Sequence, residues 1–122
     1  MHKILHIEDE SDEVLMVKTR MENAGYAFIS ALNGEEGLEK VYAETPDLIL
    51  LDLIMPKLNG YHVCYQLKKD PQTADIPIII LTASGAKELE KKCAALGVNE
   101  VIHKPYESSY LLEKIAFYLG EA

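Results

Sequence analysis

Apolar and polar positions alternate along this chain in two rhythms that take turns. Lys3–Ile7 is a short apolar run that closes on three acids, Glu8, Asp9 and Glu10. Residues 12–25 follow with a helical spacing of Val14, Leu15, Val17, Lys18 and Met21. Ser11 or Asp12 is expected to cap this helix and Gly25 to end it. Residues 26–32 read as a strand, Asn33-Gly34 as a turn, and residues 35–44 as a second helix that turns Leu38 and Val41 inward. Thr45-Pro46 stops it. Residues 47–52 form a third strand, apolar at every position between its two aspartates. A loop over residues 55–60 and a helix over 61–69 come next, closed by Asp70-Pro71. A fully apolar strand is expected over 76–81, a helix over 86–96 ended by Gly97, a strand over 98–103, and a last helix over 107–119. That last helix faces Leu111, Leu112, Ile115 and Leu119 inward.

Strands that are apolar on both faces need cover on both faces, as in a parallel sheet flanked by helices. Five strand–helix repeats therefore predict one α/β domain over residues 1–122, with right-handed crossovers and helices on both sides. Such sheets bind ligands at the carboxyl ends of their strands. Glu8 and Asp9 end the first strand, Asp52 the third, Thr82 the fourth and Lys104, followed by Pro105, the fifth. If the second strand lies outside the first, these residues share one small region. Crowded carboxylates repel, and one tends to stay protonated unless a cation joins them. Carboxylate, carbonyl and water oxygens suit Mg²⁺. A carboxylate is also a nucleophile able to form an aspartyl phosphate, whose oxygens a cation, Lys104 and the Thr82 hydroxyl would stabilise.

Composition narrows the partners. Twelve Lys and Arg against 20 Asp and Glu give a net charge of −8, which opposes nucleic-acid binding through phosphates. No apolar run approaches the length of a membrane span, and Met1 to Glu8 is too short and too charged for a signal peptide. A cytoplasmic protein is the expectation. Cys64 and Cys93 form no CxxC pair and read as small buried thiols. His2, His6, His62 and His103 make no ligand set; His6 reads as a sheet histidine. Taken singly, the acids at residues 8–10 are also an ordinary helix-capping turn. Thr82 is an ordinary β-branched strand residue, and Lys104 an ordinary loop lysine. Their joint placement at strand ends makes the set informative.

The stretches Ile7-Glu8-Asp9-Glu10, Leu48-Ile49-Leu50-Leu51-Asp52-Leu53-Ile54-Met55-Pro56, Asn59-Gly60, Ile76-Pro77-Ile78-Ile79-Ile80-Leu81-Thr82-Ala83 and His103-Lys104-Pro105-Tyr106 resemble, in that order and over the whole length, the receiver domains of two-component signalling. The resemblance implies strand order 2-1-3-4-5, the flavodoxin-like order. It implies Asp52 as phosphoacceptor. It also implies Mg²⁺, or Mn²⁺ in its place, held by Asp9, Asp52 and the Ile54 carbonyl, with Glu8 acting through water. Thr82, Lys104 and the Ala83 backbone would receive the phosphoryl group, and the bond to Pro105 would be cis. The implied donor is a phosphohistidine on a sensor histidine kinase or a phosphotransfer protein. The fourth helix, fifth strand and fifth helix would pass the signal to a downstream partner.

Similar domains often carry an aromatic ring three residues before the lysine; here Val101 stands there, and valine has no comparable rotamer swing. Ile54 and Ser84 occupy positions resembling those that tune phosphoryl lifetime. Two other functions compete. A pseudo-receiver, a binding module never phosphorylated, usually lacks the acceptor, the acidic pair or the lysine, and all are present here. A hydrolase of the haloacid-dehalogenase kind needs an Asp two residues after its nucleophile, where this chain has Ile54. The expected chemistry is self-phosphorylation and slow self-dephosphorylation, without a processed substrate.

Overall fold

The computed structural model describes residues 1–53 and 59–121. Among them the elements run β1 (Lys3–Ile7), α1 (Ser11–Asn23), β2 (Ala27–Ala31), α2 (Gly34–Glu44), β3 (Leu48–Leu51), α3 (Gly60–Lys69), β4 (Ile78–Thr82), α4 (Lys87–Ala95), β5 (Glu100–His103) and α5 (Ser108–Tyr118). The strands form one parallel sheet in the order β2-β1-β3-β4-β5. This is the expected order, and it puts β3 at the centre. No helix among the described residues is long and apolar enough to cross a membrane.

Side chains alternate between the faces of each strand, and the core divides accordingly. Leu5, Ile7, Ile49, Leu51, Ile78 and Ile80 pack with Val41 of α2, Val63, Cys64 and Leu67 of α3, and Leu89 and Cys93 of α4. Ile4, Leu48, Leu50, Ile79, Leu81 and Ile102 pack with Val17 and Met21 of α1 and with Leu111 and Ile115 of α5. Every residue of β3 is fully buried. That requirement is what removed polar residues from its interior.

Element ends follow local chemistry. The Asn33 side chain accepts a hydrogen bond from Glu36 N–H at 2.9 Å, and that of Asn59 from His62 N–H at 3.0 Å, capping α2 and α3. For α1 the structure corrects the expectation of Ser11 or Asp12. Glu10 is extended (φ −87°, ψ 109°), and its carboxylate accepts the Asp12 N–H. The helix thus begins one residue earlier than the apolar spacing suggested. Leu15, expected in the inward stripe, is 62% exposed. Val17 and Met21 are four apart and share the core face, whereas Leu15 lies about 200° around the helix from Val17. β4 starts after Pro77, which has no N–H to give. The first strand N–H, of Ile78, goes to the Asn99 side chain at 2.9 Å.

Candidate functional site

The carboxyl ends of β1, β3, β4 and β5 open on one region, because the strands run parallel and in register. Ile7 pairs with Leu51, Leu51 with Ile80, and Thr82 with His103. Glu8 follows β1 and its N–H is held by the Ala31 carbonyl at 3.0 Å. Asp52 follows β3, with its N–H on the Ile7 carbonyl at 3.1 Å. Thr82 is the last residue of β4, and the Lys104 N–H donates to its carbonyl at 2.7 Å. The Lys104–Pro105 peptide bond is cis.

These backbone anchors bring the charges together. Carboxylate oxygens of Glu8, Glu13 and Asp52 lie within 4.8 Å of one another. The Lys104 ammonium stands among them, 2.8 Å from Glu13, 3.4 Å from Glu8 and 3.5 Å from Asp52. Glu8 is only 2% exposed. Burial first, then the hydrogen bond shared with Glu13, then the charge of Asp52 raise its carboxyl to about 9. The same hydrogen bond holds Glu13 below the usual carboxylate range. Burial works against the charge of Lys104, but Glu13, Asp52 and Glu8 together keep its ammonium above the ordinary lysine value. The cluster therefore retains a proton that a divalent cation would release. Its oxygen-only donors fit a hard ion such as Mg²⁺.

Not every expected residue joins this group. Asp9 is exposed and stands outside it. The Ile54 carbonyl lies outside the described residues, as does any effect of Ile54 on phosphoryl lifetime. Thr82 is buried, and its hydroxyl accepts the Ser84 N–H at 3.1 Å. Ala83 is exposed beside it. Val101 is half-buried and packs on the α2–α3–α4 side of the core. The ring beside this loop is instead His103, which contacts the Ser84 carbonyl at 3.0 Å and the Glu90 carboxylate of α4 at 2.8 Å. Glu13 was not among the expected site residues. Its signal is positional: the first turn of a helix that starts from the site. A cleft lined by Glu13, Met16, Arg20, Ala83, Lys104 and Tyr106 adjoins the cluster on the α1 side.

Comparison with known proteins supplies the family. The family model for the response regulator receiver domain matches residues 4–116. The chain belongs to this receiver family. The receiver is 37% identical over 113 residues to a probable transcriptional regulator ycf27 of Guillardia theta, covering 93% of this chain and 43% of that protein. It is 41% identical over 105 residues to the alkaline phosphatase synthesis transcriptional regulatory protein PhoP of Bacillus subtilis, covering 85% and 42%. It thus spans less than half the length of these relatives. Among solved structures, a CheY-like response regulator receiver domain protein of Methanospirillum hungatei superposes with a TM-score of 0.93 at 27% identity, over 99% of this chain and 95% of that one. The chemotaxis protein CheY4 of Vibrio cholerae superposes with a TM-score of 0.90 at 27% identity, over 97% and 98%. Membership in this family supports phosphorylation-dependent two-component signalling.

Proposed function

We propose that this receiver accepts a phosphoryl group on Asp52 in a reaction that depends on Mg²⁺ or Mn²⁺, and that the modified form signals to a partner or output domain. The observation that carries the reading is the placement of Asp52. It stands half-buried at the end of the central strand, with the Lys104 ammonium 3.5 Å away and the Glu8 carboxylate beside it.

Asp9 and Asp52 would hold the cation directly, with the Ile54 carbonyl as a further oxygen and Glu8 acting through water; Asp9, exposed outside the carboxylate group, would turn in to do so. The bound ion would offset charge on the phosphoryl oxygens. Asp52 supplies the attacking carboxylate oxygen, and the bond from phosphorus to the donor nitrogen breaks as the new P–O bond forms. Lys104 offsets charge on the transferred group. The Thr82 hydroxyl, now accepting from Ser84, has its own proton to donate to a phosphoryl oxygen. The donor is a phosphohistidine of a sensor histidine kinase or phosphotransfer protein. The exposed Leu15 and Met16 on α1, beside the cleft that reaches Lys104, suit a docked helix of such a donor. Onward signalling is assigned to the α4–β5–α5 face, supported by the run from Thr82 through Ser84 and His103 to Glu90 on α4.

Incubation with Mg²⁺ and acetyl phosphate, read by intact mass, tests this reading. One added phosphoryl group is expected, lost in Asp52→Asn and in EDTA. No gain, under conditions that modify another receiver, would leave a pseudo-receiver that binds its partner without phosphorylation.

A further inference from the structure

Phosphoryl transfer at Asp52 gives Glu13 no task, yet Glu13 is the carboxylate nearest the Lys104 ammonium. The separation is 2.8 Å, against 3.4 Å for Glu8 and 3.5 Å for Asp52. The two partners come from different parts of the fold. Glu13 is in the first turn of α1, and Lys104 follows β5 with its backbone N–H fixed on Thr82. An ammonium and a divalent cation are rivals for the same oxygens. Both are drawn to Glu8 and Asp52, and two positive charges a few ångströms apart repel in a partly desolvated site. Lys104 nevertheless has to stay close, because the phosphoryl group will need it.

We propose that Glu13 is a positioning residue that shares the Lys104 ammonium with Glu8 and Asp52 and draws it towards the α1 edge of the site, so that those two carboxylates can turn to the cation when one binds. This rests on the reading of Asp52 and its cation given above. Glu13 touches neither acceptor nor donor in this scheme; it acts through Lys104, and its hydrogen bond with Glu8 is the second contact that the test has to separate. Once a phosphoryl group is on Asp52, its added negative charge outbids Glu13, and the flexible lysine stem carries the ammonium across. Without Glu13 the ammonium is held by Asp52 and Glu8 alone and competes more strongly with the metal.

The test is a double-mutant cycle read by calorimetric titration of Mg²⁺ at fixed pH, with no phosphodonor present. Glu13 is partly exposed and Glu13→Gln keeps its shape, so the fold should persist; circular dichroism checks this. Wild type binds Mg²⁺, and Glu13→Gln weakens that binding by roughly tenfold, the scale set by residues that orient a metal's ligands. Lys104→Met tightens binding by removing the rival cation, and Lys104→Gln serves if the methionine variant is unstable. In either Lys104 background, Glu13→Gln changes the affinity less than about twofold, because nothing is left for it to hold back. Unchanged binding in Glu13→Gln overturns the proposal. So does an undiminished loss in the Lys104 background, which would make Glu13 act on the metal as a ligand or through its hydrogen bond with Glu8. Absence of Mg²⁺ binding by wild type is a separate result, overturning the cation site at Asp52 and this inference with it.

Discussion

His6 is the residue least reconciled with its surroundings. It lies mid-strand in β1, 1% exposed, with an edge-on contact to Phe28, and neither ring nitrogen finds a hydrogen-bond partner among the described residues. Burial lowers its pKa from 6.5 to about 4, against an upward pull from Glu13. The sign follows from linkage. The unfolded chain takes up a proton near pH 6.5 and the folded chain does not, so above that pH the group contributes nothing. Stability is lost as pH falls from 6.5 towards 4, by about 3 kcal/mol in all. Glu8, whose carboxyl is raised to about 9, pulls stability the other way over the same range, so the His6 slope is read as the difference between wild type and His6→Leu in urea denaturation at pH 7.5 and 4.5. Wild type should lose stability relative to His6→Leu as pH falls between the two.

At the scale of elements, α3 seats the end of β3. A methyl group on Gly60 would stand 2.8 Å from the Leu53 Cα, 2.9 Å from its Cδ2 and 3.1 Å from the Asp52 carbonyl oxygen. Two of these are backbone atoms that cannot rotate away. Gly60→Ala should therefore cost about 1–3 kcal/mol and push Asp52 from its place. A lowered melting temperature together with slower acetyl-phosphate labelling would show both effects. Loss of stability with unchanged labelling would mean that the helix yields instead of the strand end.

The elements themselves were largely legible in the chain, for reasons of the same kind. β3 had to be apolar throughout because helices cover both its faces, and Asn33 and Asn59 announced their helices because few side chains cap as well. The detail of the cluster was not legible. Five of the six residues from Glu8 to Glu13 are acids, and composition does not say which of them turn inward. Glu8, directly after β1, is still held by the Ala31 carbonyl and is buried, whereas Asp9 in the turn that follows is exposed. Glu13 turns in because of the phase of α1 and because its partner arrives from 91 residues away. Neither fact is local. Leu15 was misjudged for the same reason: an apolar count does not fix helix phase without knowing where the neighbour lies.

The whole molecule carries a charge of −8 and gathers three carboxylates in one half-buried cluster, so a cation at that cluster should stabilise the fold. Mg²⁺ at a hundredfold its Kd should add about 2.7 kcal/mol to the unfolding free energy. Glu8 holds its proton up to about pH 9 in the cation-free protein, and the metal has to displace it. Mg²⁺ affinity, and the stabilisation at a fixed Mg²⁺ concentration, should therefore climb between pH 7 and 9. Thermal unfolding with and without Mg²⁺ across that range checks this, and Asp52→Asn should flatten the response.

The central position of β3 has a mechanical consequence. Leu48, Ile49, Leu50 and Leu51 are fully buried, with β1 on one side and β4 on the other. Close-packed interiors barely compress. Asp52 is thus bolted to the stiffest part of the frame, like a workpiece on an anvil. A load applied there finds no give beneath it and is deflected sideways, towards the exposed turn between β4 and α4.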